Sequence, residues 1–181
     1  MNVSALFDLL AAAKAECGHS DYVVVGSVSV LGMSEVSAIP EGMTVSIDAD
    51  CYTLADPPRV FDLQAKLGEG SAYHRLHGIY LDPVSPKLPT LPDGWQQRLI
   101  RITRSGVAAH FLEPNDAAVS KLARAEPRDM RWVRAGIAAG LVSLPMLKLR
   151  MRTTDFLDAL EQATALDALD ALALPSGVDE G

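Results

Sequence analysis

The sequence predicts a mixed α/β (or α+β) domain, in which a short mixed sheet is flanked by helices and closed by a C-terminal helical bundle. Residues 22–25 read Tyr-Val-Val-Val, a short β-branched run typical of a buried strand. Residues 43–52 alternate apolar and polar side chains, which favours a strand with one buried face. After Pro114 the chain carries helix-start signals and helical periodicity to its end.

The first part of the chain predicts helices alternating with strands. An amphipathic helix over residues 3–17 ends near Gly18, and the strand at 22–25 runs into a turn and a second helix over 28–33. After a loop at 34–43 and the alternating strand, further elements are expected. They are a helix from the N-cap Asp56 and Pro57 to about Leu67, and a strand over 77–81 that is followed directly by Asp82. A hairpin is also expected, in which strands at 98–103 and 107–112 are joined by a turn at Ser105-Gly106.

The second part predicts four helices. Asn115 is the expected cap of the first, Pro127 opens the second, and Ser143 with Pro145 starts the third. Thr154 is expected to begin a last amphipathic helix, whose apolar side would carry Phe156, Leu157, Leu160, Ala163, Leu166, Leu169 and Leu172. These signals predict an α/β core at 1–113, a helical region at 114–175 that packs on it, and a frayed tail at 176–181.

Composition limits the class of protein. The 181 residues are 49% hydrophobic and 22% charged, which is typical of a globular chain and not of a disordered one. A formal charge of -7 argues against broad, sequence-independent binding to a nucleic-acid backbone. Cys17 and Cys51 lack metal-ligand spacing and predict reduced thiols. Without a signal peptide or an apolar run long enough to span a membrane, we expect a cytoplasmic protein with no membrane partner.

The alternating strand carries the most informative residues. Asp48 and Asp50 share its polar face, roughly 6–7 Å apart, while Val45, Ile47, Ala49 and Cys51 are expected to face the core. Two carboxylates on one face suit a hard cation such as Mg²⁺, and Asp82 is our candidate for a third. The plainer interpretation is a solvated strand face, where alternating polar residues are ordinary.

Gly26-Ser27, between a strand and a helix start, is the second candidate feature. Such a turn offers backbone N–H groups and a hydroxyl to a phosphate, with no side chain blocking its approach. The alternative is a strand-to-helix turn that binds no ligand.

Several further stretches accompany these residues in a fixed order. They are Leu67-Gly68-Glu69-Gly70-Ser71, His77-Gly78-Ile79-Tyr80-Leu81-Asp82, Leu91-Pro92-Asp93-Gly94-Trp95 with Arg98-Leu99, and Asp116 to Leu122 followed by Arg128-Asp129. With Gly26-Ser27 and Asp48-x-Asp50, this series resembles the DNA polymerase β-like nucleotidyltransferase superfamily, in its bacterial branch related to the AbiEii and MenT toxins. The resemblance covers roughly residues 20–150.

The resemblance implies a nucleotidyltransferase-like fold and a role for each matching residue. Gly26 and Ser27 match the nucleotide-phosphate turn, and Asp48 and Asp50 match the metal-binding pair. The remaining implied site residues are the third carboxylate Asp82, the triphosphate-binding Lys121, and the nucleotide-binding Arg128 and Asp129. The sequence departs from the family pattern in one place. An Arg-x-Thr motif usually precedes the strand with the acid pair, but residues 41–44 contain no arginine.

Each of the other candidates also has a structural interpretation. Lys121 could be a helix-surface lysine, and Arg128 with Asp129 could be first-turn charges. His74 and His77 have the spacing of one helix face but no further ligands for zinc. Trp95 and Trp132 are interpreted as core anchors.

The resulting hypothesis is a nucleotidyltransferase dependent on Mg²⁺ or Mn²⁺. It would transfer an NMP group from an NTP to RNA, a protein or a small molecule, as the toxin-like component of a toxin–antitoxin pair. An antitoxin-like protein partner or an oligomer would then use the C-terminal helices. Two alternatives stay open: a catalytically inactive binding or regulatory protein with the same fold, and a phosphate-binding domain without transfer chemistry.

Overall fold

One mixed sheet organises the computed structural model, which describes residues 1–173. Its five strands, in the spatial order β3-β2-β1-β5-β4, are β1 Asp21–Val24, β2 Asp48–Thr53, β3 Tyr80–Pro83, β4 Ile100–Arg104 and β5 Val107–Phe111. The central strand β1 pairs antiparallel with β2 and parallel with β5, and β2 pairs parallel with β3. Strands β4 and β5 form the expected antiparallel hairpin. The predicted mixed α/β class is confirmed.

Helices surround this sheet. The α-helices are α1 Val3–Cys17, α2 Glu41–Thr44, α3 Gln64–Leu67, α4 Ala72–His77, α5 Pro114–Arg124, α6 Pro127–Ala138, α7 Leu144–Met151 and α8 Ala159–Ala173. Three 3-10 helices span Ser27–Met33, Pro57–Leu63 and Trp95–Arg98. None of the helices within residues 1–173 has the length and apolar character needed to cross a membrane.

Local signals fix the first helix. The Asn2 side chain accepts a hydrogen bond from the Ala5 N–H at 2.9 Å, which satisfies one of the free donors at the start of α1. Gly18 ends the helix with φ 77°, a left-handed conformation that glycine adopts without strain. Between these ends, Leu6, Leu9 and Leu10 are fully buried, so α1 covers the sheet with one face.

The hydrophobic core draws on both halves of the chain. Tyr22, Val23 and Val24 of β1 are fully buried, as a central strand requires, and Leu122 and Leu147 from the C-terminal helices belong to the same cluster. The division into 1–113 and 114–175 stays a prediction, and the predicted frayed tail at 176–181 lies outside the described residues.

The alternating strand is shorter than its pattern predicted. Residues 41–44 form α2, and β2 begins only at Asp48. Val45 and Ile47, expected in the core, are 70% and 46% exposed. The reason is the register of the sheet, because β1 and β3 pair with this segment only from Asp48 onwards, so residues 45–47 precede its paired part. Ala49 and Cys51 are fully buried, as expected.

One predicted cap is wrong and another is confirmed in position. The Glu113 carboxylate, and not Asn115, accepts from the first free N–H groups of α5, because Pro114 at the first helical position moves the start forward. Asp56 is the N-cap residue before Pro57, although its side chain makes no cap hydrogen bond.

The predicted strand over 77–81 is also displaced. His77 ends α4, a helix that the sequence analysis missed, and β3 begins at Tyr80. The Ser71 hydroxyl caps α4 by accepting from the His74 N–H at 3.1 Å, a start signal within what was read as a loop.

The last helix begins later and buries a partly different face than expected. Its start is set by Asp158, which accepts from the Glu161 N–H at 2.8 Å, and not by Thr154. Leu157 and Leu160 are 84% and 76% exposed. The buried positions are Leu169, as predicted, and Ala165 and Ala168, which were not predicted. Small alanines let α8 approach α5 closely, so packing and not the leucine stripe chose the face.

Candidate active site

Three carboxylates converge on one face of the sheet. In the parallel pairing of β2 and β3, Asp50 lies opposite Asp82, and Asp48 lies opposite Tyr80. Side chains two residues apart on a strand share a face, so Asp48 and Asp50 both point towards Asp82. One carboxylate oxygen from each acid lies within 4.8 Å of the others. The structure therefore brings together the three acids that the sequence analysis proposed as ligands.

The acids repel one another. Burial, with added repulsion from Asp48 and Asp82, raises the pKa of Asp50 to about 7. Burial and the charge of Asp48 also raise the pKa of Asp82. Among the described residues, no lysine or arginine forms an ion pair with any of the three. Closely spaced oxygen donors without a cationic partner fit a hard divalent cation such as Mg²⁺ or Mn²⁺.

Gly26 allows the turn to approach these acids. It follows β1 with φ 64° and ψ -154°, a conformation that only glycine adopts readily. The Val25 N–H donates to the Asp50 carbonyl at 2.9 Å, which holds the turn against β2. A Cβ atom on Gly26 would lie 1.9 Å from Asp50 Oδ2, so a side chain here would displace the carboxylate.

Lys121 connects the turn to the C-terminal helices. It is only 2% exposed, and its ammonium donates to Ser27 Oγ at 2.9 Å and to Asp129 Oδ1 at 3.1 Å. Arg124, one turn further along α5, donates to both Asp129 oxygens at 2.9 and 3.0 Å. The interpretation of Lys121 as a surface lysine is wrong. Asp129 lies in the first turn of α6 but is 1% exposed, so it is a buried ion-pair partner.

In this network two cations surround one carboxylate. Burial opposes ionisation of Asp129, but hydrogen bonds from Arg124 and Lys121 hold its pKa below the usual value. Trp132 completes the network: its indole N–H donates to the carbonyls of Ser27 and Met43, at 3.1 and 3.2 Å. Its ring also lies 4.8 Å from the Lys121 ammonium. Trp132 is buried in the core, as predicted, and additionally fixes the backbone of the turn.

A cleft of about 330 Å³ contains most of the predicted site residues. Those that line it are Gly26, Ser27, Asp48, Asp50, Asp82, Arg128 and Asp129. Arg128 lies at the rim, 72% exposed along its side chain and paired with Glu126 at 3.1 Å. Lys121 instead lines an adjoining cavity of about 170 Å³, which shares Gly26, Asp50 and Arg124 with the cleft.

The sequence analysis missed several residues of the site. Arg124 lies three residues after Lys121, a spacing that places both cations on one face of a helix and that could have identified it. Tyr80 lines the cleft because of its register opposite Asp48. The two histidines do not adjoin each other as a ligand pair: the His74 ring packs against Tyr80 at 4.7 Å and the His77 ring against Tyr73 at 4.2 Å.

Comparison with known proteins places the chain in a family. No curated protein and no solved structure matches it. A family model described as "Nucleotidyltransferase of unknown function (DUF6036)" matches residues 4–170, which include all the site residues described above. The chain therefore belongs to this family of nucleotidyltransferases.

Proposed function

We propose that this protein transfers an NMP group from an NTP to an acceptor, with Mg²⁺ or Mn²⁺ as its cofactor. The observation that carries the proposal is the convergence of Asp48, Asp50 and Asp82 within 4.8 Å of one another, beside the Gly26-Ser27 turn. Family membership supports the reaction type.

The three carboxylates would hold the divalent ion. When bound, such an ion neutralises phosphate charge and positions the attacking oxygen. The acceptor oxygen forms a bond to the α-phosphorus while the bond to the bridging oxygen breaks, and pyrophosphate leaves with that electron pair. Asp82, whose pKa is raised, would assist as a ligand or take the proton from the acceptor hydroxyl.

The turn and the cationic side chains would bind the triphosphate. Gly26 leaves room beside Asp50, and the Ser27 hydroxyl is oriented by the Lys121 ammonium. Lys121, Arg124 and, at the rim, Arg128 supply positive charge next to the acids. This distribution favours a polyanion that reaches the metal-binding residues from the side of the turn.

The test is incorporation of label from each α-labelled NTP into a cell extract, with Mg²⁺ or Mn²⁺. Asp48→Ala and Asp50→Ala should abolish transfer and metal-dependent nucleotide binding. Asp167→Ala, which removes an exposed acid of α8, is the matched control and should leave both intact. If the wild-type protein neither transfers label nor binds nucleotide with metal, the proposal is wrong and the inactive binding protein is favoured. Nucleotide binding that is unchanged by Asp48→Ala and Asp50→Ala would favour a phosphate-binding domain.

We further propose that the chain belongs to the AbiEii/MenT-related branch and acts in the cytoplasm as the toxin-like component of a toxin–antitoxin pair. The ordered motif series supports this, as do the hydrogen bonds that Lys121 donates to Ser27 of the turn and to Asp129. Induced expression should arrest bacterial growth, and Asp48→Ala should relieve the arrest. Separate RNA, protein and small-molecule fractions of the labelled extract would identify the acceptor. Arrest by the Asp48→Ala variant would contradict a catalytic toxin.

A further inference from the structure

We propose that the 170 Å³ cavity behind Asp50 is the nucleobase subsite, and that Glu161 selects bases carrying an exocyclic amino group. This inference rests on the proposed function and adds a substrate preference to it. The shared residues Gly26, Asp50 and Arg124 allow one ligand to occupy both the cleft and the cavity.

The two spaces differ in the chemistry of their walls. The cleft contains the carboxylates and the cationic rim, and so suits phosphates and their metal ion. The cavity has walls that are largely apolar, formed by Val25, Val84, Leu88, Pro89, Leu112 and Ala117. A cavity of about 170 Å³ lies below the roughly 300–1,000 Å³ typical of a whole ligand, so it suits one compact part of a molecule. A nucleotide has such a division, with a flat base at one end and phosphates at the other.

Glu161 is the polar residue that α8 contributes to this cavity, whose other polar lining residues are Asp50, Thr90, Ser120, Lys121 and Arg124. It lies in the first turn of α8, half-buried, and both of its oxygens are held in place. Oε1 accepts from the Thr90 hydroxyl at 2.9 Å, and Oε2 accepts from the Leu157 N–H at 2.7 Å. Each carboxylate oxygen has two lone pairs, so one on each remains for a ligand. The side chain is thus a pre-positioned acceptor of two N–H groups.

A carboxylate distinguishes bases by the groups on their edges. The amino group of cytosine donates to it, whereas the carbonyl at the same position of uracil repels it. Guanine carries an exocyclic amino group where hypoxanthine has only a hydrogen atom. The carboxylate discriminates because only an amino-bearing base adds a charge-assisted hydrogen bond to it, and a carbonyl would place a second acceptor against it.

The experiment measures binding of two nucleotide pairs, CTP against UTP and GTP against ITP, by calorimetry with Mg²⁺ and without acceptor. In the wild-type protein at least one pair should differ about tenfold or more in Kd, in favour of the amino-bearing base. Glu161→Gln keeps the side-chain shape and the helix-start contact, so it should fold normally, and the difference should fall below about threefold. Asp167→Asn, an exposed acid on the same helix, is the control and should retain the wild-type preference.

The outcomes separate this inference from the proposed function. Metal-dependent NTP binding with equal affinity within both pairs would overturn the base subsite and leave the transferase proposal standing. A preference that survives Glu161→Gln would likewise overturn the role of Glu161. If no NTP binds with metal, both proposals fail together.

Discussion

Two groups of charged side chains meet at the Gly26-Ser27 turn, and they are built in opposite ways. The first is the acidic triad Asp48, Asp50 and Asp82, in which like charges face one another and the pKa of Asp50 rises to about 7. The second is the network of Lys121, Arg124 and Asp129, in which opposite charges pair and the pKa of Asp129 falls.

The difference indicates what each group does. In the network the buried carboxylate is paired with two cations, so the network can hold the Ser27 hydroxyl and the α5–α6 contact in place without a ligand. The triad is unfavourable as it stands, and a divalent cation would relieve its repulsion. Stability should therefore depend on the network and activity on the triad, and four measurements test this contrast.

Asp50→Asn should show the largest effect, in activity. Loss of one metal-binding carboxylate removes several kcal/mol of transition-state stabilisation, so transfer should fall about a thousandfold or more. The unfolding free energy should not fall, because the substitution removes a repelled charge. Label incorporation and urea unfolding measure the two quantities. A variant that keeps its activity but loses stability would reverse the contrast.

Lys121→Met should show the largest effect on stability. Asp129, 1% exposed, would lose one of its two cationic partners and keep Arg124, at a cost of about 1.5–3 kcal/mol in unfolding free energy. Lys148→Met on α7, an exposed lysine, is the control and should change stability by less than about 0.5 kcal/mol. A similar, small change for both variants in chemical denaturation would show that the network does not stabilise the fold.

Gly26→Ala should affect both groups, because the turn lies between them. Backbone strain at φ 64°, ψ -154° is expected to cost about 1–3 kcal/mol, and the clash with Asp50 should also weaken metal binding. Gly42→Ala is a matched control, since Gly42 is helical and an added Cβ would meet nothing within 4 Å. Thermal unfolding with and without Mn²⁺ measures both effects. Equal melting temperatures for the two variants would contradict the tight approach at Gly26.

The smallest effect concerns pH. The raised pKa of Asp50 means that the fold holds this proton more tightly than the unfolded chain does, so its contribution to stability is lost as pH rises from about 4 to about 7. Mg²⁺ competes with that proton and should therefore raise the melting temperature more at pH 8 than at pH 6, by about 2–4 °C. Asp50→Asn should remove this pH dependence. A larger Mg²⁺ effect at pH 6 than at pH 8 would contradict it.

The sequence predicted the acidic triad better than it predicted the network of Lys121, Arg124 and Asp129. The alternation around Asp48 and Asp50 placed both on one strand face, because the period of a strand is a local property. The same pattern misplaced Val45 and Ile47, since it could not reveal that the neighbouring strands pair with β2 only from Asp48 onwards. The burial of Lys121 was not predictable from its own helix, because its partners Ser27 and Asp129 come from other elements.

The C-terminal helices show the same limit. The helical periodicity after Pro114 predicted that helices form there, and four form within the described residues 114–173. Part of the predicted face of α8 is wrong: Leu160 is exposed, whereas Ala165 and Ala168 are buried beside the expected Leu169. The distance between packed helices decided which face is buried, and the periodicity of one helix gives no information about that distance.

The sequence by itself determined the mixed α/β class, the acid pair on a strand and the Gly-Ser turn, because strand period and turn chemistry act between near neighbours. Only the tertiary structure decided that Asp82 joins the pair, that Lys121 and Arg124 neutralise Asp129, and that Glu161 reaches the cavity behind Asp50. These contacts join residues far apart in the chain, and their distances depend on sheet register and helix packing.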